Sequence, residues 1–278
     1  MKRLEDETTI VITKDMTADK IYYKILRAYF NGYKKIILVG SITDVQMDFL
    51  VMMHKRIVGL EVTEQKKDQI IITDLLKPED VDLDKIVNQM FSFITIMTND
   101  IILHISEDSY IGDKVLNRDS IIIRNHNLAY RCCNMALKDS IYLGKLKKTT
   151  NQVLVISRII RSLDMIGTIL IGISYLLNTE TTRGMKKFHY KTFEKNDRLN
   201  KILDEYLRKW SKNFKSIKSA IKERDIERII DLYVRRFETK LNIEDKNLQP
   251  SEHLTNIVDL ADQLSRMSAL ILRDFMMY

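Results

Sequence analysis

Between Thr8 and Asp74, short β-branched runs alternate with amphipathic segments. Thr8–Thr13, Lys35–Val39, Leu60–Thr63 and Gln69–Thr73 predict strands, since branched side chains pack well on a pleated, half-buried surface. Thr17–Phe30 and Thr43–Ile57 carry the helical period instead. Thr17 and Thr43 suit the N-cap, where a hydroxyl accepts an orphan backbone N–H, and Gly32, Gly40 and Gly59 stand where elements must end. The prediction is a β-α-β-α-β-β unit over residues 1–78.

Beyond Pro78 the strand pattern stops. Leu83–Ile105, Tyr110–Asp139, Thr150–Leu177, Phe193–Lys222, Asp225–Leu241 and Glu252–Met276 predict six helices. The polar stretch Thr179–Lys191, with Gly184, reads as a joint between two three-helix halves, residues 79–180 and 181–278. Glu107-Asp108 through Arg118-Asp119 matches Arg224-Asp225 through Arg235-Arg236 in spacing, although an Asp at a helix start is also what capping alone favours. The fold class that follows is mainly α, with a small α+β N-terminal domain.

The fourth of these helices is the most sharply divided. Leu199, Leu203, Tyr206, Trp210, Phe214, Ile217 and Ile221 recur at spacings of three and four along one face, and Lys201, Arg208, Lys212, Lys215 and Lys222 along the opposite one. In the second helix Asp113, Asn117, Ser120, Arg124, Asn127, Arg131, Asn134 and Lys138 form a polar stripe that reads as an exposed face. In the third, Ser157, Arg161, Asp164 and Thr168 share a face within an otherwise apolar run. A carboxylate buried among aliphatic residues is costly unless paired, so Asp164 must face water, pair with Arg161 or hold a cation. Asp119 lies off the second-helix stripe and could turn toward Asp164.

Composition sharpens this picture at few points. Only 8 Gly and 2 Pro occur in 278 residues, which fits long, unbroken helices. The two cysteines, Cys132 and Cys133, are adjacent, a spacing that disfavours a disulfide and suits a reducing, cytoplasmic setting. Acidic residues at positions 5–7 do not fit a signal peptide, and Arg158, Arg161 and Asp164 interrupt the apolar run Val153–Leu177 before it could span a bilayer. The net charge of +7 is concentrated: residues 179–241 hold 18 Lys and Arg against 10 Asp and Glu. Such a surplus suits an acidic protein surface or a nucleic acid, or is simply a solvated helix face.

Motifs that would define an enzyme are missing. There is no P-loop, dinucleotide-type glycine pattern, HExxH, CxxC pair or G-x-S-x-G turn. The five histidines, His54, His104, His126, His189 and His253, lack the spacing of zinc ligands on one helix. No catalytic residues are assigned and the expectation is a non-enzyme.

Ile25-Leu26-Arg27-Ala28-Tyr29-Phe30-Asn31-Gly32-Tyr33-Lys34-Lys35-Ile36 resembles the helix-to-strand junction of the archaeal-type PhoU family, and Arg56-Ile57-Val58-Gly59-Leu60-Glu61-Val62 is similar to a second segment of that family. Arg118-Asp119 and Arg161-Ser162-Leu163-Asp164 resemble its acidic second-helix and third-helix elements. The resemblance implies a bundle of two three-helix repeats and a regulator of phosphate uptake and homeostasis. Such a protein docks on a phosphate ABC transporter ATPase or a signalling partner, without membrane insertion and as a homo-oligomer such as a dimer.

The resemblance also implies acidic metal positions, but here Ile123 and Thr168 replace two of them. In the second repeat, Arg236, Val258 and Asp262 align, with Asp259 one residue off. Asp119, Asp164 and Asp262 are the candidate metal ligands left, too few for a multinuclear cluster. The family's AbrB-type DNA-binding region is expected to be shortened ahead of Thr17. The alternative reading is a nucleic-acid-binding transcriptional regulator that uses Lys201, Arg208, Lys212, Lys215 and Lys222.

Overall fold

The computed structural model describes residues 6–53, 56–107, 112–177, 197–235 and 252–276. The expected joint Thr179–Lys191, together with His54, His189, Asp108 and Arg236, lies outside the described residues. The chain is mainly helical with a small N-terminal mixed sheet. Its contacts divide it into two compact units, residues 1–86 with 123–157, and residues 87–122 with 158–278.

The first unit opens on β1 (Glu7–Val11), α1 (Ala18–Asn31), β2 (Lys35–Val39), α2 (Asp44–Met53), β3 (Leu60–Lys66) and β4 (Gln69–Asp74). The sheet order is β1-β2-β4-β3. The β1 and β2 strands are parallel, as the crossover through α1 requires, while β4 runs antiparallel to both neighbours. The register puts Ile10 beside Leu38 and Leu38 beside Ile70, so the inward residues of three strands meet in one row. Ile21, Ile25 and Tyr29 of α1 and Leu50 and Met53 of α2 close over that row. The edge strand β3 runs on past Thr63 through Glu64, Gln65 and Lys66, all exposed. Charge on an edge strand discourages pairing with another chain.

The capping expected from the sequence is present. Oγ1 of Thr17 accepts from the Lys20 N–H at 3.3 Å, and Thr43 and Gln46 form a reciprocal capping box at 3.3 and 2.9 Å. The buried Gln46 amide also donates to the Thr13 and Met16 carbonyl oxygens, which ties α2 to the loop after β1. Gly40 has φ +134°, and a Cβ there would stand 2.1 Å from the Ile12 carbonyl oxygen, so only glycine allows this approach of backbone to backbone.

The helices that follow are α3 (Leu83–Glu107), α4 (Gly112–Lys138), α5 (Ser140–Lys145), α6 (Thr150–Leu177), α7 (Asp197–Glu223), α8 (Ile226–Val234) and α9 (Glu252–Met276). The short α5 was not expected. Asp139 caps it, its carboxylate accepting from the Ile141 and Tyr142 N–H groups. Among the described residues only α3 is long and apolar enough to cross a bilayer by length and composition. Its Val87, Met90, Phe91, Ile94, Met97 and Ile101 are buried at helical spacing as a packing face.

In the second unit α7, α8 and α9 pack around the stacked rings of Trp210 and Phe214, whose centroids are 4.8 Å apart. Phe91 of α3 meets Phe214 at 5.0 Å. Lys218 of α7 donates to the Ser92 hydroxyl of α3 at 2.8 Å. Tyr206 reaches across to α9, donating to the Ala261 carbonyl oxygen at 2.6 Å, and the Trp210 indole N–H donates to Ser268 at 3.1 Å. Polar groups carried into the core by large aromatic residues are thereby satisfied.

Candidate functional site: a cationic helix face

The α7 helix separates two chemistries along its length. Leu199, Leu203, Tyr206, Trp210, Phe214 and Ile217 are buried, whereas Lys201, Arg208, Lys212, Lys215 and Lys222 are all exposed. At 100° per residue the five cations fall within a narrow stripe directly opposite the buried one. At 1.5 Å rise per residue the stripe extends about 32 Å from Lys201 to Lys222.

Its charge is uneven. Nε of Arg208 bonds the Asp204 carboxylate at 2.7 Å, a contact that raises the pKa of the guanidinium still further and occupies part of its hydrogen-bonding fork. Lys212, Lys215 and Lys222 enter no ion pair among the described residues, so the C-terminal half of the stripe carries most of its outward positive charge. Lys222 also lies in the last turn, where a cation complements the negative end of the helix dipole.

The polar stripe of α4 is different from what its spacing predicts. Asn127 and Arg131 are buried, not exposed, and Arg131, Asn134 and Lys138 receive the end of α1. Arg131 donates through Nη1 to the Tyr29 carbonyl oxygen and through Nη2 to Oδ2 of Asp74, and its guanidinium lies 4.4 Å from the centroid of the Tyr29 ring. Asn134 reaches the Phe30 carbonyl oxygen at 3.4 Å, Lys138 the Asn31 side chain at 3.0 Å, and Asn127 the Arg56 carbonyl oxygen at 3.1 Å.

The last carbonyls of a helix lack intrahelical donors, and its C-terminus carries partial negative charge. A row of donors at i, i+3 and i+7 on α4 answers both needs. Burial pushes the Asp74 carboxyl above the usual carboxylate range, against the pull of Arg131.

The three candidate metal ligands are placed as follows. Asp119 and Asp164 are half-buried, on α4 and α6, and Oδ1 of Asp119 would stand 3.5 Å from a Cβ built on Gly167. Asp119 also lies close enough to Tyr175 for its charge to add to the upward shift that burial imposes on that phenol. Asp262, on α9, is half-buried near Tyr206. Arg118 pairs with Asp100 of α3 at 3.1 Å. Among the described residues no group of three His, Cys, Asp or Glu side chains gathers as cation ligands would.

Comparison with protein-family models, curated proteins and solved structures finds no match.

Two constellations stand out, an exposed cationic face and a buried polar joint. The second is not visible in the sequence because its acceptors, mostly main-chain oxygens, lie 57 to 107 positions away. The one signal available was the presence of Arg131 in a run flanked by the apolar Ala129, Cys132 and Cys133, where a solvated stripe would be interrupted.

Proposed function

We propose that this chain is a non-enzymatic docking protein whose α7 face, Lys201, Arg208, Lys212, Lys215 and Lys222, receives an acidic surface of a protein partner. The observation that carries this reading is the exposure of all five cations on the side of α7 opposite its core face. Charged groups held in one line on a rigid helix steer a partner of opposite potential and fix its register.

The resemblance of Arg27–Ile36 and Arg56–Val62 to the PhoU family supports a more specific version: a cytoplasmic regulator of phosphate uptake, built on two three-helix repeats, that docks on a phosphate transporter ATPase or its signalling partner as a homo-oligomer. Affinity capture from phosphate-replete cells tests it. Recovery of a transporter or signalling component, together with altered phosphate uptake in a deletion strain, is the expected result. Capture of neither, with uptake unchanged, overturns it.

The same cations, with a sequence pI of 9.1, support nucleic-acid binding as the second reading. Five phosphate contacts would give a steep salt dependence, with log K falling by about 4 to 5 for each unit of log salt on duplex DNA. A mobility shift at low ionic strength separates the two readings.

A further inference from the structure

The core of the second unit leaves a cleft between α7, α8 and α9 with a volume of about 170 Å³. Trp210 and Phe214, stacked at 4.8 Å, form one wall, and Leu232 and Leu272 add aliphatic surface. The polar atoms at this wall are already occupied. The indole N–H donates to Ser268, and the Ser268 hydroxyl donates to the Leu264 carbonyl oxygen at 3.0 Å. An occupant therefore meets aromatic and aliphatic surface without having to supply hydrogen bonds there.

Arg235 also lines the cleft, at the C-terminal end of α8. Its side chain is exposed and enters no ion pair among the described residues. Ligand sites combine apolar lining with a few placed polar groups, and this cleft has that composition.

We propose that the cleft binds a small aromatic monocarboxylate, with its ring against Trp210 and Phe214 and its carboxylate on the Arg235 guanidinium. The size fits, since a dry apolar cavity of about 150 Å³ takes up benzene. One planar guanidinium matches one carboxylate through two parallel hydrogen bonds. A phosphate dianion would bring two charges against the single Arg235 cation, with only the neutral Asn213, Ser265 and Ser268 as further polar residues of the lining. This site is independent of the docking face, which lies on the opposite side of α7.

Trp210 is the only tryptophan in the chain, so its fluorescence reports on the cleft directly. The full-length protein is titrated with phenylacetate and, in parallel, with phenylacetamide. Expected is a saturable change in Trp210 emission with phenylacetate, binding at least tenfold weaker for phenylacetamide and for phenylacetate on Arg235→Gln, and no saturable change in Ala269→Leu, whose larger side chain fills the cleft.

Absence of a saturable response in the natural protein overturns the proposal. So does equal affinity for the acid and the amide, or for the natural protein and Arg235→Gln. An Ala269→Leu variant with native circular dichroism and undiminished binding places the ligand elsewhere and overturns it as well. If Ala269→Leu loses its helical signal, Arg235→Gln, altered only at an exposed helix end, decides alone.

Discussion

Arg131 holds Tyr29 from two sides: one guanidinium nitrogen donates to the tyrosine's main-chain oxygen while the cation lies over its ring. The Tyr29 hydroxyl in turn donates to the Val58 carbonyl oxygen at 3.0 Å. One residue thus ties the end of α1, the segment before β3 and the middle of α4 together. Asp74, at the end of β4, completes the joint through the second guanidinium nitrogen.

Removing Arg131 leaves a buried carboxylate without its cation and takes one of two donors from the Tyr29 carbonyl oxygen, which keeps the Gly32 N–H at 3.0 Å. Arg131→Met is expected to lose about 3–5 kcal/mol of stability at neutral pH, the usual consequence of breaking a buried pair from one side. The double variant Arg131→Met with Asp74→Leu removes both ions and is expected to recover all but about 2 kcal/mol, which corresponds to the lost bonds to the Tyr29 carbonyl oxygen and from the Leu76 N–H. Urea unfolding of both variants measures this. A double variant no better than the single one would contradict it.

The Asp74 carboxyl titrates above the usual carboxylate range because burial outweighs the attraction of Arg131. A raised folded-state pKa means that the native protein holds the proton more tightly than the unfolded chain. The corresponding stability is present below the unfolded pKa and is lost as pH rises through the folded one. Without Arg131 the shift is larger still. The deficit of Arg131→Met relative to the natural protein should therefore shrink as pH falls into the acidic range and be largest at neutral pH. Chemical denaturation across pH at constant salt provides the measurement.

Cys132 and Cys133 are both buried and unbonded to each other. Burial pushes both thiols up, Cys132 against a hydrogen bond from the Tyr142 hydroxyl. Because the thiolate is the reactive form, neither should be modified by iodoacetamide in the native protein at neutral pH. Both should react after unfolding in guanidinium. Mass spectrometry counts the adducts in each state.

Reversing the charge at the outer end of α7 tests docking without disturbing packing. Lys212→Glu, Lys215→Glu and Lys222→Glu in one chain should change the unfolding midpoint little, since surface substitutions typically shift stability by less than about 0.5 kcal/mol each. Partner capture should fall at least tenfold. A second triple variant, to Gln, should lie between the two, because it removes the attraction without adding repulsion.

The elements were legible where their ends carry a chemical mark. Thr17 and Thr43 cap as their hydroxyls suggest, Gly32 and Gly59 adopt the positive φ that ends a helix or opens a strand, and the aromatic stripe of α7 is buried as its spacing requires. Spacing alone did not reveal what lies against a polar stripe. Asn127, Arg131 and Asn134 repeat as a solvated face would, but their partners belong to α1 and to the turn before β3, and no local pattern records that pairing. Six-residue α5 is too short to show a period at all. The cleft beside Trp210 is a property of how three helices meet, and its residues are read in the sequence simply as core.

On α7 the residues that hold the fold and the residues that face outward share no member. Exchange of a lysine for another residue on the outer face alters neither the Trp210 and Phe214 stack nor the Tyr206 contact with α9. A lineage carrying this helix could change its partner through substitutions at a few surface positions, each nearly neutral for folding. The core face, by contrast, would tolerate few replacements over the same span.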